Sequence, residues 1–319
     1  MKAPLLLAAA LLAAPAPAAD PAAASVSPGE IVAAAPAADW KAIPATDLLV
    51  MTLAPSADGK ARRAVIQLIP APYSAVWTEN IRTLAKAHWW DGLAIVRAQD
   101  NYVVQWGDPD GEDGAKAKPL PSLSPTGETG YVRQLEAVAM LVDPCGDRQG
   151  VEPTWLCDAY APGATFRSGW PVATDGGREW PIHCYGSVGV GRGLSPDAGT
   201  GAELYAVIGH APRHLDRNIA VVGRVIEGIE HLSTLPRGTE ALGFYATPAE
   251  RTGIVSIRLA SDLPAAEQPR FEYLSTDSDS FARYASARAN RKDDFFIAPA
   301  GGADVCNIPV PMRRIAAAG

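Results

Sequence analysis

The sequence predicts a mainly β protein built on a closed antiparallel barrel, with two flanking helices, an insertion and a C-terminal extension. Three observations carry that reading. Short runs rich in Val, Ile and Leu recur along the chain, separated by turn-forming residues. Gly and Pro are abundant, 29 and 28 of 319 residues, which favours turns and short strands over a helical bundle. Two stretches alone show a clear helical period near those strands, and closure of the sheet would remove its edges.

The chain begins MKAPLLLAAALLAAPAPAA. Lys2 is its only charge, Leu5 to Ala14 form an apolar run, and Ala16-Pro17-Ala18 supplies small residues at a cleavage site. Residues 1–18 therefore read as a secretory signal peptide cut after Ala18. The run falls short of the roughly 20 apolar residues a membrane span requires. A periplasmic or secreted protein is expected, with no membrane span after cleavage. Residues 19–47, rich in Ala and Pro, read as a flexible leader.

Order is expected from Leu48. Leu48–Thr52 and Ala64–Ile69 flank the turn Ala57-Asp58-Gly59 and form a hairpin. From Ser74 to His88, Trp77, Ile81, Leu84 and His88 lie on one helical face. Strands are expected at Leu93–Arg97, Tyr102–Trp106, Ser187–Val190, Leu204–Ile208, Ala220–Val225 and Gly253–Leu259, with a short helix over Glu227–Leu235. Residues 48–260 form the main domain on this reading. Its segment 110–183 is an insertion, with a helix near Val132–Met140. Residues 261–319 form a C-terminal extension: a linker, a helix over Asp277–Arg291, and an extended tail over Val305–Pro311.

Hydrophobic residues make up 48% of the chain and charged residues 20%, enough to bury a sizeable core. The formal net charge of −7 argues against a nucleic-acid partner, whose phosphates require a basic surface. Four cysteines, Cys145, Cys157, Cys184 and Cys306, allow three pairings in an exported chain. Cys145–Cys157, closing a short loop, with Cys184–Cys306, tying down the tail, is the preferred one. No two cysteines have the close spacing of a zinc site. The acidic run Asp108–Gly114 lacks the Gly and closing Glu of a calcium loop, and His210 and His214 flank Ala211-Pro212 in a loop. Neither a metal nor a cofactor is expected.

Three segments together resemble the cyclophilin-type peptidyl-prolyl cis–trans isomerases. Val65–Asp91 is similar to the family's opening strand, Pro-containing turn and first helix. Trp90–Pro109 has an Arg, an aromatic five residues on and a Gln eight residues on, ahead of Gly-Asp. Those residues are Arg97, Tyr102 and Gln105, followed by Gly107-Asp108. Gly186–Gly228 resembles the second-half strand, small-residue loop, aromatic strand, Leu-Asp and Val-x-Gly-x-Val-x-x-Gly run. The resemblance implies an eight-stranded cyclophilin-like barrel. It implies Arg97 and Gln105 as the catalytic pair, with Gln105 also binding substrate backbone. Tyr102, Val103, Tyr205, Leu215 and Ile219 take the proline-pocket positions, and Gly191 leaves room for the peptide backbone. The chain departs from the family at Val96, where His is common, and at Ile219, where a pocket His is usual.

Those residue types suit the reaction. Rotation about an X–Pro bond meets a resonance barrier of about 18–20 kcal/mol and requires no nucleophile, metal or proton transfer. The twisted amide has a more basic nitrogen, and an arginine donor meeting it contributes about 1.5–3 kcal/mol. Each ~1.4 kcal/mol is tenfold in rate. The expected partners are proline-containing segments of unfolded or folding exported proteins. The alternative is a barrel of the same kind that holds such segments without turning them over.

Overall fold

The computed structural model describes residues 26–111, 113–136, 158–293 and 295–315. In chain order, α1 (Pro28–Ala33) and β1 (Trp40–Ala42) lead into β2 (Leu48–Leu53) and β3 (Arg62–Leu68). Next come α2 (Ala75–Lys86), β4 (Ala94–Ala98) and β5 (Val103–Gly107). Four short strands follow: β6 (Arg133–Gln134), β7 (Gly163–Arg167), β8 (Trp170–Thr174) and β9 (Arg178–Pro181). The chain continues through β10 (Ser187–Val190), β11 (Leu204–Val207), β12 (Val221–Glu227), α3 (Glu230–Ser233) and β13 (Thr252–Leu259). Its last elements are β14 (Phe271–Leu274), α4 (Asp279–Ala289) and β15 (Met312–Arg314).

Eight strands close into an antiparallel barrel in the order β10-β11-β5-β4-β13-β2-β3-β12. Each strand expected from the sequence falls on one of them. Period-2 alternation fills the interior: Leu49 and Met51, Ile66 and Leu68, Val104 and Trp106, and Leu204 and Ala206 share one core cluster. Helix α2 adds Trp77, Ile81 and Leu84 to that core, at the spacing that places them on one helical face, whereas His88, expected on the same face, lies past the helix end at positive φ and is exposed. Leu232 and Leu235 join it as well, although α3 is shorter than expected because β12 runs on through Glu227.

Outside the barrel the structure departs from the sequence reading. Within the leader, the Ser27 side chain forms a capping box with Glu30 ahead of α1. Strand β1 pairs with β14, and β14 with β15, so leader and C-terminal extension form one three-stranded sheet. Trp40 packs with Leu274, Phe281, Tyr284 and Ile308. These scattered anchors override the leader's low-complexity composition. Residues 305–307 form a 3₁₀ turn where an extended tail was expected.

The insertion carries a four-stranded sheet in the order β6-β9-β8-β7. Arg133 and Gln134 pair with Glu179 and Arg178 as strand, against the expected helix near Val132–Met140, whose residues past Glu136 lie outside the described residues. Positive φ at Ser168 and Gly169 makes the tight turn between β7 and β8. Buried Glu179 accepts the Tyr73 hydroxyl, which ties this sheet to the segment between β3 and α2, and the Nε–H of Arg167 within the sheet itself. A disulfide joins Cys184 to Cys306. Cys145 and Cys157, like residues 1–18, which were read from the sequence as a signal peptide, lie outside the described residues. Among the described residues no helix is long and apolar enough to cross a membrane.

Candidate active site

Antiparallel pairing sets Arg97 opposite Gln105, Gln105 opposite Tyr205, and Tyr205 opposite Gly189, across β4, β5, β11 and β10. Val104, Trp106, Leu204 and Ala206 point into the core, so Gln105 and Tyr205 face outward. Strict alternation from Ile95, which is in the core, would turn Arg97 inward. The register instead shifts between Ile95 and Arg97, and Ala98 is the next core residue. That bulge swings Arg97 onto the outer face beside Gln105.

The guanidinium is held by amide oxygens. Its Nε–H donates to the Leu242 carbonyl at 2.7 Å, one terminal nitrogen donates to Gln105 Oε1 at 3.3 Å, and the other donates to Gln99 Oε1. Each terminal nitrogen keeps an N–H for a ligand. The cation sits over the rings of Phe244 and Tyr102, at 5.3 and 5.6 Å from their centroids. Burial lowers its pKa, and the nearby Tyr102 opposes that shift. Gln105 Nε2 donates to Glu203 Oε2 at 2.8 Å, which turns the amide oxygen toward Arg97.

Two surfaces meet at this pair. On one, Val103, Tyr205 and Val207 form an apolar cluster with Tyr102, Leu215 and Ile219 packed against it. The other is a cleft of about 850 Å³ lined by Arg97, Gln105, Gly191, Glu203, Lys118 and Phe244, among others. A Cβ on Gly191 would come within 2.9 Å of the Glu203 Cβ and 3.2 Å of Gln105 Nε2, so the cleft floor there requires glycine. The candidate residues Arg97, Tyr102, Val103, Gln105, Gly191, Tyr205, Leu215 and Ile219 are thus brought to one side of the barrel.

A protein-family model described as cyclophilin type peptidyl-prolyl cis-trans isomerase/CLD matches residues 71–258. The chain belongs to that family. Among solved structures it is similar to cyclophilin AquaCyp293 from Hirschia baltica, with 18% identity and a TM-score of 0.61. That match covers 91% of this chain and 98% of the other, so the shared fold extends past the barrel. A cyclophilin-type peptidyl-prolyl cis-trans isomerase from Cryptosporidium parvum matches at 12% identity and a TM-score of 0.38, over 67% of this chain and 96% of that one. No curated protein matches the sequence.

Several residues at this cyclophilin face escaped the sequence reading. Phe244 and the Leu242 carbonyl hold Arg97 from a loop far along the chain, and no local pattern marks them. Glu203 orients Gln105 from the residue before the core position Leu204. His214, read from the sequence only as a loop residue, stacks on Tyr102 with ring centroids 6.1 Å apart. After β5, Asp108 accepts the amides of Asp110 and Lys118 at 3.0 and 2.6 Å.

Proposed function

We propose that this chain is an exported, periplasmic or secreted prolyl isomerase acting on X–Pro bonds of unfolded or folding polypeptides, with Arg97 stabilising the twisted amide. The single observation that carries this reading is the row Arg97–Gln105–Tyr205 across adjacent strands, with an apolar cluster at one end. The proline ring would sit against Tyr102, Val103, Tyr205, Leu215 and Ile219, fixing one side of the amide. An Arg97 N–H would then meet the prolyl nitrogen as conjugation is lost. Gln105 would hold the guanidinium in register and bind substrate backbone. Gly191 would let the peptide enter the cleft closely. A donor gain of about 1.5–3 kcal/mol in the twisted state corresponds to roughly 10–150-fold in rate.

Exchange NMR on a short X–Pro peptide tests this. Wild type should accelerate cis–trans exchange, and Arg97→Ala should lose at least about tenfold of that acceleration. A wild-type rate equal to the uncatalysed one, with peptide still bound, would establish the second reading, a proline-peptide binding module. Val96 and Ile219, standing where the family commonly has His, favour that second reading.

A further inference from the structure

Beneath the proline cluster lies a chain of buried polar groups that the reaction as described does not use. The Tyr205 hydroxyl is 2.9 Å from His183 Nε2. His183 Nδ1 is 3.0 Å from Asp216 Oδ1, which also accepts the His183 backbone amide. Arg213 Nε–H donates to Asp216 Oδ2 at 2.6 Å, and its terminal nitrogens donate to both oxygens of Asp158 at 3.1 and 2.6 Å. All these residues are under one-tenth exposed, and His183 is wholly buried. Such a network is costly to build unless its members satisfy one another.

Its geometry reaches two walls of the pocket. Gly189 lies opposite Tyr205, and a Cβ there would fall 2.3 Å from the Tyr205 hydroxyl. The absent side chain lets the ring lean across β10 to His183. Asp216 directly follows Leu215, another pocket residue. One imidazole therefore anchors the hydroxyl of one wall and the carboxylate beside the other. With Nδ1–H donated to Asp216, Nε2 accepts a hydrogen bond from the Tyr205 O–H and fixes the ring's rotation.

Resting on the isomerase reading above, we propose that His183 is a positioning residue that locks Tyr205, and through Asp216 Leu215, into the conformation that grips proline. Its contribution is to substrate affinity, because the Arg97 donors lie outside the network.

Three variants test this. Tyr205→Phe removes the anchor oxygen and keeps the ring. His183→Asn keeps a donor for Asp216 while withdrawing the acceptor from Tyr205. The third combines both. Each single variant should raise peptide Kd, read by NMR titration, and KM about tenfold, with kcat within about twofold of wild type. The double variant should be no worse than either single one, since both cut one link. A slowly exchanging Tyr205 hydroxyl proton should be visible in wild type and lost in His183→Asn. Unchanged Kd in Tyr205→Phe, or additive losses in the double variant, overturns the proposal. If His183→Asn does not fold, Tyr205→Phe alone decides. Wild type that binds peptide without catalysing exchange defeats the isomerase reading, yet leaves the lock testable through Kd. Wild type that does neither defeats both.

Discussion

The barrel and the layer around it are held together differently. In the barrel, one continuous cluster runs from Leu49 through Trp106 to Leu259, supported by ladders on every strand. The surrounding layer is a set of small satellite clusters, around Trp40, Ile69 and Trp180, joined by polar ties and a disulfide. A closed core tolerates no partial loss, whereas satellites can open one at a time. The candidate site is built on the barrel's outer face and braced from the layer: Arg97 and Gln105 belong to the first, His183 and Asp158 to the segment that returns from the second.

The strongest way to break that comparison is to remove equivalent tryptophans. Trp90 is wholly buried, and its Nε1–H donates to the Ala202 carbonyl at 2.8 Å. Trp90→Ala should cost about 3–5 kcal/mol and lower the single denaturation midpoint of the whole barrel. Trp180 is equally hidden but sits in a satellite under the Arg217 guanidinium. Trp180→Ala should raise amide exchange in β7–β9 and leave protection in β2, β5 and β11 intact. Equal global losses in the two variants would show that barrel and layer unfold as one unit.

The same contrast decides what was legible in the sequence. All eight barrel strands could be read from apolar runs and turns, because a closed core imposes its alternation locally. Arg97, Tyr102 and Gln105 were legible through the resemblance of the Trp90–Pro109 segment to the cyclophilin family. Long-range pairing was not. Strand β1 is three residues of a low-complexity leader, and its partner β14 lies more than two hundred residues on. The insertion's Ser168-Gly169 and Asp175-Gly176 turns were signals for hairpins, set among short strands of mixed composition with little periodicity. The brace at His183 had no signal at all, since a lone histidine before Cys184 acquires meaning only when Tyr205 reaches it.

Cutting the disulfide is the next test of that contrast. Cys184 and Cys306 are 122 residues apart, and the bond pins the tail beside the candidate site. Cys306→Ser should cost about 2–5 kcal/mol, chiefly by releasing a large loop in the unfolded chain. Limited proteolysis should then clip the C-terminal extension first, with the barrel fragment retained. Simultaneous degradation of both would mean that the extension is integral to the barrel.

The smallest effect concerns acid. Asp91 accepts both terminal nitrogens of Arg258, at 2.7 and 2.5 Å, clamping the loop after α2 to β13. Its hydrogen bonds to Arg258 lower the Asp91 pKa against the opposing cost of burial. A carboxylate whose folded pKa is depressed stabilises the fold above its unfolded value, about 3.9, and loses that contribution as pH falls through the folded value. The pair is partly exposed, so its worth is about 1 kcal/mol or less. Asp91→Asn should therefore lower stability slightly at pH 7 and flatten the acid limb below about pH 4. Asp293, in the tail, has its pKa lowered by the Phe296 amide and by Arg291, yet anchors only its own turn. Asp293→Asn should leave the acid unfolding of the barrel unchanged, because the tail opens before the core does. If both substitutions move the acid midpoint alike, the tail unfolds together with the barrel, and the division drawn between the two regions fails.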